Sequence, residues 1–333
     1  MVAAQHPPVG LLPEVAPRLD PSVERLIRLD RGRVALSAFG PGLVDALGPG
    51  DVLVVNGAGT LPASLRLDSG VELRLASRVS RDVWRAVVLD HADWRTPTEL
   101  RAPADLGPGA HLLDNGAPIE LLERSGRSLS VRVALSDVLR AGRPVQYSYL
   151  RDDVALGQVQ TPLSGAGWAM EMPSAGRPLR WKTLLALRRK GVRVVSLLHA
   201  AGLSSVDGGA LDATLPWPER SEIGQAAVDT IHGAQRVVAA GTTVVRALED
   251  NVRRFGALRA GHWTSELVLG PSTRPQVVDG VLTNLHEPGE SHFELLQAFA
   301  PRAHLLRVNR LARRSGLRAH EFGDSVLILN DQP

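Results

Sequence analysis

Residues 277–299 read VVDGVLTNLHEPGESHFELLQAF. The apolar positions Val277, Val278, Val281 and Leu282 predict a buried strand. It stops at a polar turn of Thr283, Asn284, His286, Glu287, Pro288 and Gly289. Phe293, Leu296 and Phe299 then recur near helical spacing, with Glu290 and Ser291 where a helix would begin. The order is strand, polar turn, helix. In open α/β sheets, ligands bind beyond the carboxyl ends of strands, where such turns sit. Chemistry is therefore expected near Asn284 and His286.

The same unit recurs outward from this stretch. The run 192–198 predicts a strand that ends at His199, and 236–240 predicts another that runs into Gly241, Thr242 and Thr243. Val244, Val245, Leu248, Val252 and Phe255 then mark one face of a helix that Gly256 stops. Upstream, DVLVV (51–55) lies between Pro49–Gly50 and Asn56–Gly57, and Thr183 to Lys190 reads as a short helix with Gly191 at its C-cap. RLIRLDRGRVALSAF (25–39) reads as two short strands around Arg31–Gly32. Such repetition predicts an α/β fold with a mostly parallel sheet and covering helices. From about Leu65 to Leu135 the period changes to two, in Val71, Leu73 and Leu75 and again in Leu129, Val131, Val133 and Leu135. Short strands with regular turn signals predict a small antiparallel β-barrel, inserted as residues 65–136 between the two parts, 1–64 and 137–333, of the α/β domain. Residues 137–175 show no clear period, and Gly165 and Gly167 suggest a mobile loop. The proline-rich residues 1–24 are expected to wrap the surface.

With 333 residues the chain can bury a sizeable core. There is no cysteine, which excludes disulfides, thiolate metal sites and cysteine nucleophiles. No apolar run approaches a membrane span, and the N-terminus lacks a basic region followed by a long apolar core. A soluble, cytoplasmic protein without membrane association is expected, its oligomeric state open. Net charge is +3, yet the pI is 9.9. Only Lys182 and Lys190 are lysines, so nearly all of the 38 basic residues are arginine. Arginine holds its charge to very high pH, which lifts the pI without large net charge at pH 7. Charge alone does not establish a nucleic-acid partner.

Each candidate residue has a functional and a bland reading. Gly57 and Gly59 mimic the start of a dinucleotide fingerprint, but Pro62 holds the third position, so a tight turn is favoured. His286 and His292 are six apart with Pro288 and Gly289 between, so they cannot share a helical face as zinc-binding histidines do, and no metal site is expected. His286 is a hydrogen-bonding or acid–base group, or it tethers its turn. His199 is catalytic, or buried and satisfied. Gly241, Thr242 and Thr243 place backbone amides at a helix N-terminus, which favours a carboxylate or phosphate; Thr242 as a plain N-cap is the alternative. Arg246 and Glu249 lie three apart, and the bland reading is a surface ion pair. Glu219 sits in the proline-rich LPWPERSEI and would ordinarily be solvent-exposed.

Taken together, PGDVLVVN (49–56), LPA (61–63), PSAG (173–176), KGVRVVSLLH (190–199), AAGTTVVRALE (239–249), VVDGVLTNLHEPGESHFELLQAF (277–299) and FGDSVLIL (322–329) resemble the S-adenosylmethionine:tRNA ribosyltransferase-isomerases of queuosine biosynthesis. The pieces run in that family's order over most of the chain. The resemblance implies an α/β domain with an inserted β-barrel. It also implies S-adenosylmethionine as a ribosyl donor, with no metal or further cofactor. The acceptor would be the aminomethyl group of a deazaguanine in a tRNA anticodon. A proton next to the sulfonium is removed, adenine and methionine leave, and the ribose becomes an epoxycyclopentanediol. By the same resemblance His286, His199 and Glu219 are candidate catalytic residues. Asn56, Gly241, Thr242, Thr243, Arg246, Thr283, Asn284 and Ser291 are candidate substrate-binding residues. Departures stand beside these matches. Gly57, Ala58 and Gly59 replace Asp-Thr-Arg, and Ser64 replaces an arginine. Arg177, Pro178, Leu179 and Arg180 replace Leu-His-Phe-Thr. GLSSV (202–206) replaces a glycine-rich stretch. Trp217, Pro218 and Glu219 keep only the glutamate of His-Ser-Glu, and Glu290 replaces a serine. These departures mark a diverged member. They leave the acceptor open between the tRNA base and a smaller molecule, with loss of catalysis as a further alternative.

Overall fold

The structure, a computed structural model, describes residues 10–18, 20 and 23–329. Strands β1 (Arg25–Asp30) and β2 (Arg33–Ala38) form a hairpin whose turn, Arg31–Gly32, has positive φ at both residues. Helix α1 (Phe39–Ala46) leads to β3 (Asp51–Asn56), and β4 (Gly59–Thr60) follows. Next come β5 (Ser64–Arg66), β6 (Glu72–Arg78), β7 (Val83–Leu89), β8 (Gly109–Leu112), β9 (Pro118–Ser125) and β10 (Ser128–Arg132). After α2 (Leu135–Ala141) and β11 (Gly167–Ala169), helix α3 (Trp181–Arg189) precedes β12 (Arg193–His199). Strand β13 (Glu219–Ile223), α4 (Gln225–His232), β14 (Arg236–Ala240), α5 (Thr242–Phe255) and β15 (Gly261–Ser265) continue the chain. It closes with β16 (Gly280–Asn284), α6 (Ser291–Leu296), α7 (Arg302–Arg314) and β17 (Ser325–Leu329).

Nine strands form the main sheet in the order β15-β13-β12-β3-β14-β16-β17-β1-β2. Its central strands are buried on both faces, so they read as continuous apolar runs. Val52 and Val54 of β3 pack with α4, α5, α6 and α7, while Leu53 and Val55 pack with α1 and α3 on the other face. The predicted mostly parallel sheet is corrected to a mixed one. Pairing is parallel along β12–β3–β14–β16 and between β17 and β1. It is antiparallel for β16–β17, β1–β2, β12–β13 and β13–β15. Two helices, not one, link β16 to β17, so the chain re-enters the sheet from the opposite end. No α-helix lies between β12 and β13, which therefore pair in opposite directions.

The second sheet, β5-β6-β7-β10-β9-β8, is antiparallel and curled. Its outer edges meet where Asp68 N donates to Leu112 O (3.0 Å) and Asp114 N donates to Arg66 O (2.8 Å). Its interior is apolar, around the fully buried Trp84, Leu73, Leu75 and Val131. The predicted alternation through Leu135 ends early, because Leu135 opens α2. Nor is 165–167 a free loop: Gly167–Ala169 pairs in parallel with Gly59–Thr60. A Cβ on Gly59 would stand 2.9 Å from Gly165 O, so only glycine permits that approach. Of the expected surface wrap, residues 1–9, 19 and 21–22 lie outside the described residues. The segment from Leu12 to Glu14 lies along Ala319, and Arg18 pairs with Asp324 at 2.6 Å. Among the described residues no helix is long and apolar enough to cross a membrane.

Candidate active site

Burial of a carboxylate demands partners, and Glu219 shows how this site meets the demand. It is 7% exposed at the start of β13. Its Oε1 accepts the Gly202 N–H, and its Oε2 accepts from both His199 Nε2 (2.7 Å) and Arg246 Nη1. Burial opposes its ionisation, but the charge and hydrogen bond of His199 and the Arg246 guanidinium outweigh burial and hold the carboxyl below its usual range. A carboxylate only accepts, so His199 Nε2 carries a proton, while Nδ1 lies 2.7 Å from Ser221 Oγ, which meets Ser265 Oγ (2.8 Å). The remaining Arg246 donors go to the carbonyls of Leu267 (2.8 Å), Trp217 (3.0 Å) and Ser265 (3.1 Å). The chain that carries Trp217 and Glu219 is thereby fixed to α5.

The carboxyl ends of β14 and β16, the start of α5 and the curled sheet enclose a cavity of about 700 Å³. That volume suits a nucleoside-sized ligand. Gly241, at φ 108° and ψ 149°, turns β14 into α5. Thr242 and Thr243 line the cavity from the first turn, and their amides have no intrahelical acceptor. The helix has no side-chain cap, and Gly241 is its N-cap, so Thr242 is the first helical residue and not the cap. Opposite lie Thr283, Asn284, His286, Glu290 and Ser291. Asn284 Oδ1 accepts from Ser174 Oγ (2.9 Å). His286 spans its own turn, with Nε2 3.2 Å from Thr283 Oγ1 and Nδ1 3.3 Å from Glu290 Oε2. Burial raises the Glu290 carboxyl, but the His286 hydrogen bond and charge bring it below the usual range. The rings of His286 and His292 stack with centroids 4.8 Å apart. Burial, then the charge of His286, pushes His292 down to about 4.

An acidic and aromatic wall completes the cavity. Tyr147 stacks on Tyr149 (5.6 Å) and Tyr149 on His320 (5.0 Å), and the Tyr149 hydroxyl donates to Glu321 Oε2. Burial, then neighbouring carboxylates, raises both phenols. Glu171 faces the same space. It accepts a long hydrogen bond from Ser204 N (3.2 Å) and has no ion pair among the described residues. Burial, then the charge of Glu321, pushes its carboxyl up to about 7. From the curled sheet comes Arg74, which pairs with Glu72 (2.7 Å). Burial opposes ionisation of Glu72, but Arg74 and Arg101 hold it at about 2.

The structure gathers Glu219, Gly241, Thr242, Thr243, Arg246, Thr283, Asn284, His286 and Ser291 along one cavity. Asn56 and His199 stand behind its wall. Asn56 joins β3 to β12, accepting from His199 N (3.1 Å) and donating to His199 O (2.9 Å). His199 is fully buried with both ring nitrogens engaged. The expected Arg246–Glu249 surface pair is absent. Both residues are buried, and Glu249 instead accepts the amides of Gln276, Val277 and Val278 at 2.7–3.0 Å. Glu219 is likewise enclosed, not exposed. Sequence reading missed Glu171, Glu321 and the tyrosine stack, which lie in stretches without periodicity.

The family model described as queuosine biosynthesis protein matches residues 12–328. The S-adenosylmethionine:tRNA ribosyltransferase-isomerase of Moorella thermoacetica is 30% identical over 298 residues, 85% of this chain and 86% of that protein. The protein of the same name from Thermus thermophilus is 31% identical over 301 residues, 86% of each. A crystal structure of S-adenosylmethionine tRNA ribosyltransferase from Thermotoga maritima matches with a TM-score of 0.53 over 96% of each chain, at 21% identity, a likeness of fold.

Proposed function

The chain belongs to the queuosine biosynthesis protein family, and we propose from that premise that it is an S-adenosylmethionine-dependent ribosyltransferase-isomerase acting on a tRNA base. The observation that carries this reading is the match across residues 12–328. Its retained motifs, GTT (241–243) and TNLHEP (283–288), meet at one nucleoside-sized cavity.

The donor carries a carboxylate, a sulfonium and an adenine. The Thr242 and Thr243 amides at the start of the 14-residue α5 suit the carboxylate, because amides and helix dipole both favour negative charge. Asn284, its Oδ1 taken by Ser174, has amide protons to offer the ribose or the leaving adenine. Removal of the proton beside the sulfonium needs a base near neutrality. Glu171 supplies it: the group faces the cavity, forms no ion pair among the described residues and is pushed up to about 7. His286, fixed between Thr283 and Glu290, holds or protonates the leaving group. Glu219 and Arg246 hold the wall in shape. The amine of the acceptor base then enters beside the acidic and aromatic wall, where a carboxylate accepts the proton that the amine gives up as it attacks.

S-adenosylmethionine should raise the melting temperature, because a ligand that binds only the folded state stabilises it by mass action. A blank at millimolar ligand, in both melting and direct titration, would remove this reading.

A further inference from the structure

Outside the cavity, a patch gathers arginines that pair with no carboxylate among the described residues. The β6–β7 hairpin tip and β13 border a second hollow of about 370 Å³, lined by Arg78, Val79, Ser80, Arg81 and Arg220. Arg78 Nε donates to the carbonyls of Ser80 (3.2 Å) and Arg81 (3.0 Å), its Nη2 also donates to the Arg81 carbonyl, and its guanidinium lies 5.0 Å from the Trp84 ring centroid. The Arg220 guanidinium lies 4.3 Å from Trp168, and that of Arg85 lies 5.2 Å from Trp217. No described carboxylate pairs with Arg78, Arg81, Arg85 or Arg220. Glu222, two residues from Arg220, is taken by His262 at 3.2 Å, and Asp82 is the acid on the hairpin turn itself.

The guanidinium groups of Arg85 and Arg220, each beside a tryptophan ring, keep a rigid fork of N–H donors for an oxyanion, and the fork matches phosphate. Half-buried Trp168 and Trp217 add faces on which bases stack. An acidic protein surface would use the charges but not the interleaved rings. The patch also adjoins the cavity. Glu219 lines the cavity and Arg220 is its neighbour in β13, with side chains on opposite faces of the strand. Trp217 lies in the segment that Arg246 fixes.

We infer that the face formed by Arg78, Arg81, Arg85 and Arg220, with Trp168 and Trp217, holds the RNA strand that flanks the base delivered to the cavity. This rests on the tRNA reading above. Each arginine meets one backbone phosphate, and the tryptophans take an unstacked base.

The test is the double variant Arg81→Glu/Arg220→Glu, both positions being exposed, against Arg188→Glu/Arg189→Glu at the far end of α3, which changes net charge equally. Binding of tRNA and of a short single-stranded RNA is measured across salt, with S-adenosylmethionine binding and melting temperature as controls for folding. The first variant should lose about tenfold or more in RNA affinity, and its salt slope should shrink by about 2, one for each phosphate contact. The second should bind nearly as wild type. Equal losses in both variants, or none in the first, overturn the proposal. If wild-type protein binds no RNA, the patch and the tRNA reading fall together. If wild type modifies tRNA and Arg81→Glu/Arg220→Glu does so with unchanged KM, only the patch falls. RNA binding that depends on the patch, without turnover of S-adenosylmethionine, upholds the patch and removes the tRNA reaction.

Discussion

Replacing Glu171 by glutamine separates the cost of this group from its use. Its carboxyl is pushed from the ordinary 4.5 up to about 7. Between those values the folded protein keeps a proton that the unfolded chain has released. Stability therefore falls as pH rises through that window, and the cost is complete above about pH 7. At roughly 1.4 kcal/mol per pH unit the ceiling is about 3 kcal/mol. Water at the cavity mouth screens part of it, so about 1–3 kcal/mol is expected. Glutamine keeps the shape and cannot ionise. In urea unfolding at pH 8, Glu171→Gln should be more stable than wild type by about 1–3 kcal/mol, and the gain should nearly vanish at pH 4. Turnover should fall by about a hundredfold or more, as for a lost general base. The wild-type rise of kcat/KM through about pH 7 should disappear with it. A stability change equal at both pH values, or full activity in the variant, would refute the assignment.

His286→Ala should lower turnover by about a hundredfold or more while changing stability by roughly 1 kcal/mol or less, read by steady-state kinetics and denaturant unfolding. Full activity, or a loss explained by unfolding, would leave the ring a tether from Thr283 to Glu290. Gly241→Ala places a Cβ 3.4 Å from both Ala175 Cβ and Thr243 Oγ1 at φ 108°. It should cost about 1–3 kcal/mol and weaken S-adenosylmethionine binding; equal stability by urea unfolding would show that the turn relaxes freely.

How legible this molecule was in its sequence follows from the range of the forces involved. Strand β14 and helix α5 were readable because Val237 to Ala240 form an apolar run and Val244, Val245, Leu248 and Val252 share a helical face. The turn at 283–290 was readable because Pro288 and Gly289 break the pattern. Glu219 was not. Its strand alternates, but the inward positions Glu219 and Ser221 are polar, so period two carried no hydrophobic signal. Its burial depends on His199 and Arg246, 20 and 27 residues away. Glu171 was hidden for a stronger reason of the same kind, since it is raised by burial in the folded cavity and then by the charge of Glu321 at the far end of the chain. The direction of β17 depended on whether one helix or two preceded it, and the short α6 left little periodic trace. The arginines of the replaced 177–180 run were unreadable as a group. Arg177 turns away to pair with Glu24 at 3.2 Å, serving the scaffold in place of the cavity.

The central claim is that this chain moves the ribosyl group of S-adenosylmethionine onto a tRNA base, and product analysis tests it most directly. Protein, S-adenosylmethionine and tRNA carrying 7-aminomethyl-7-deazaguanine are incubated, adenine and methionine are quantified, and the modified nucleoside is weighed by mass spectrometry. The account predicts equal release of adenine and methionine, dependent on the tRNA, with a matching gain of the epoxycyclopentanediol on the base. Release that proceeds at the same rate without RNA, or a tRNA base of unchanged mass, would contradict it.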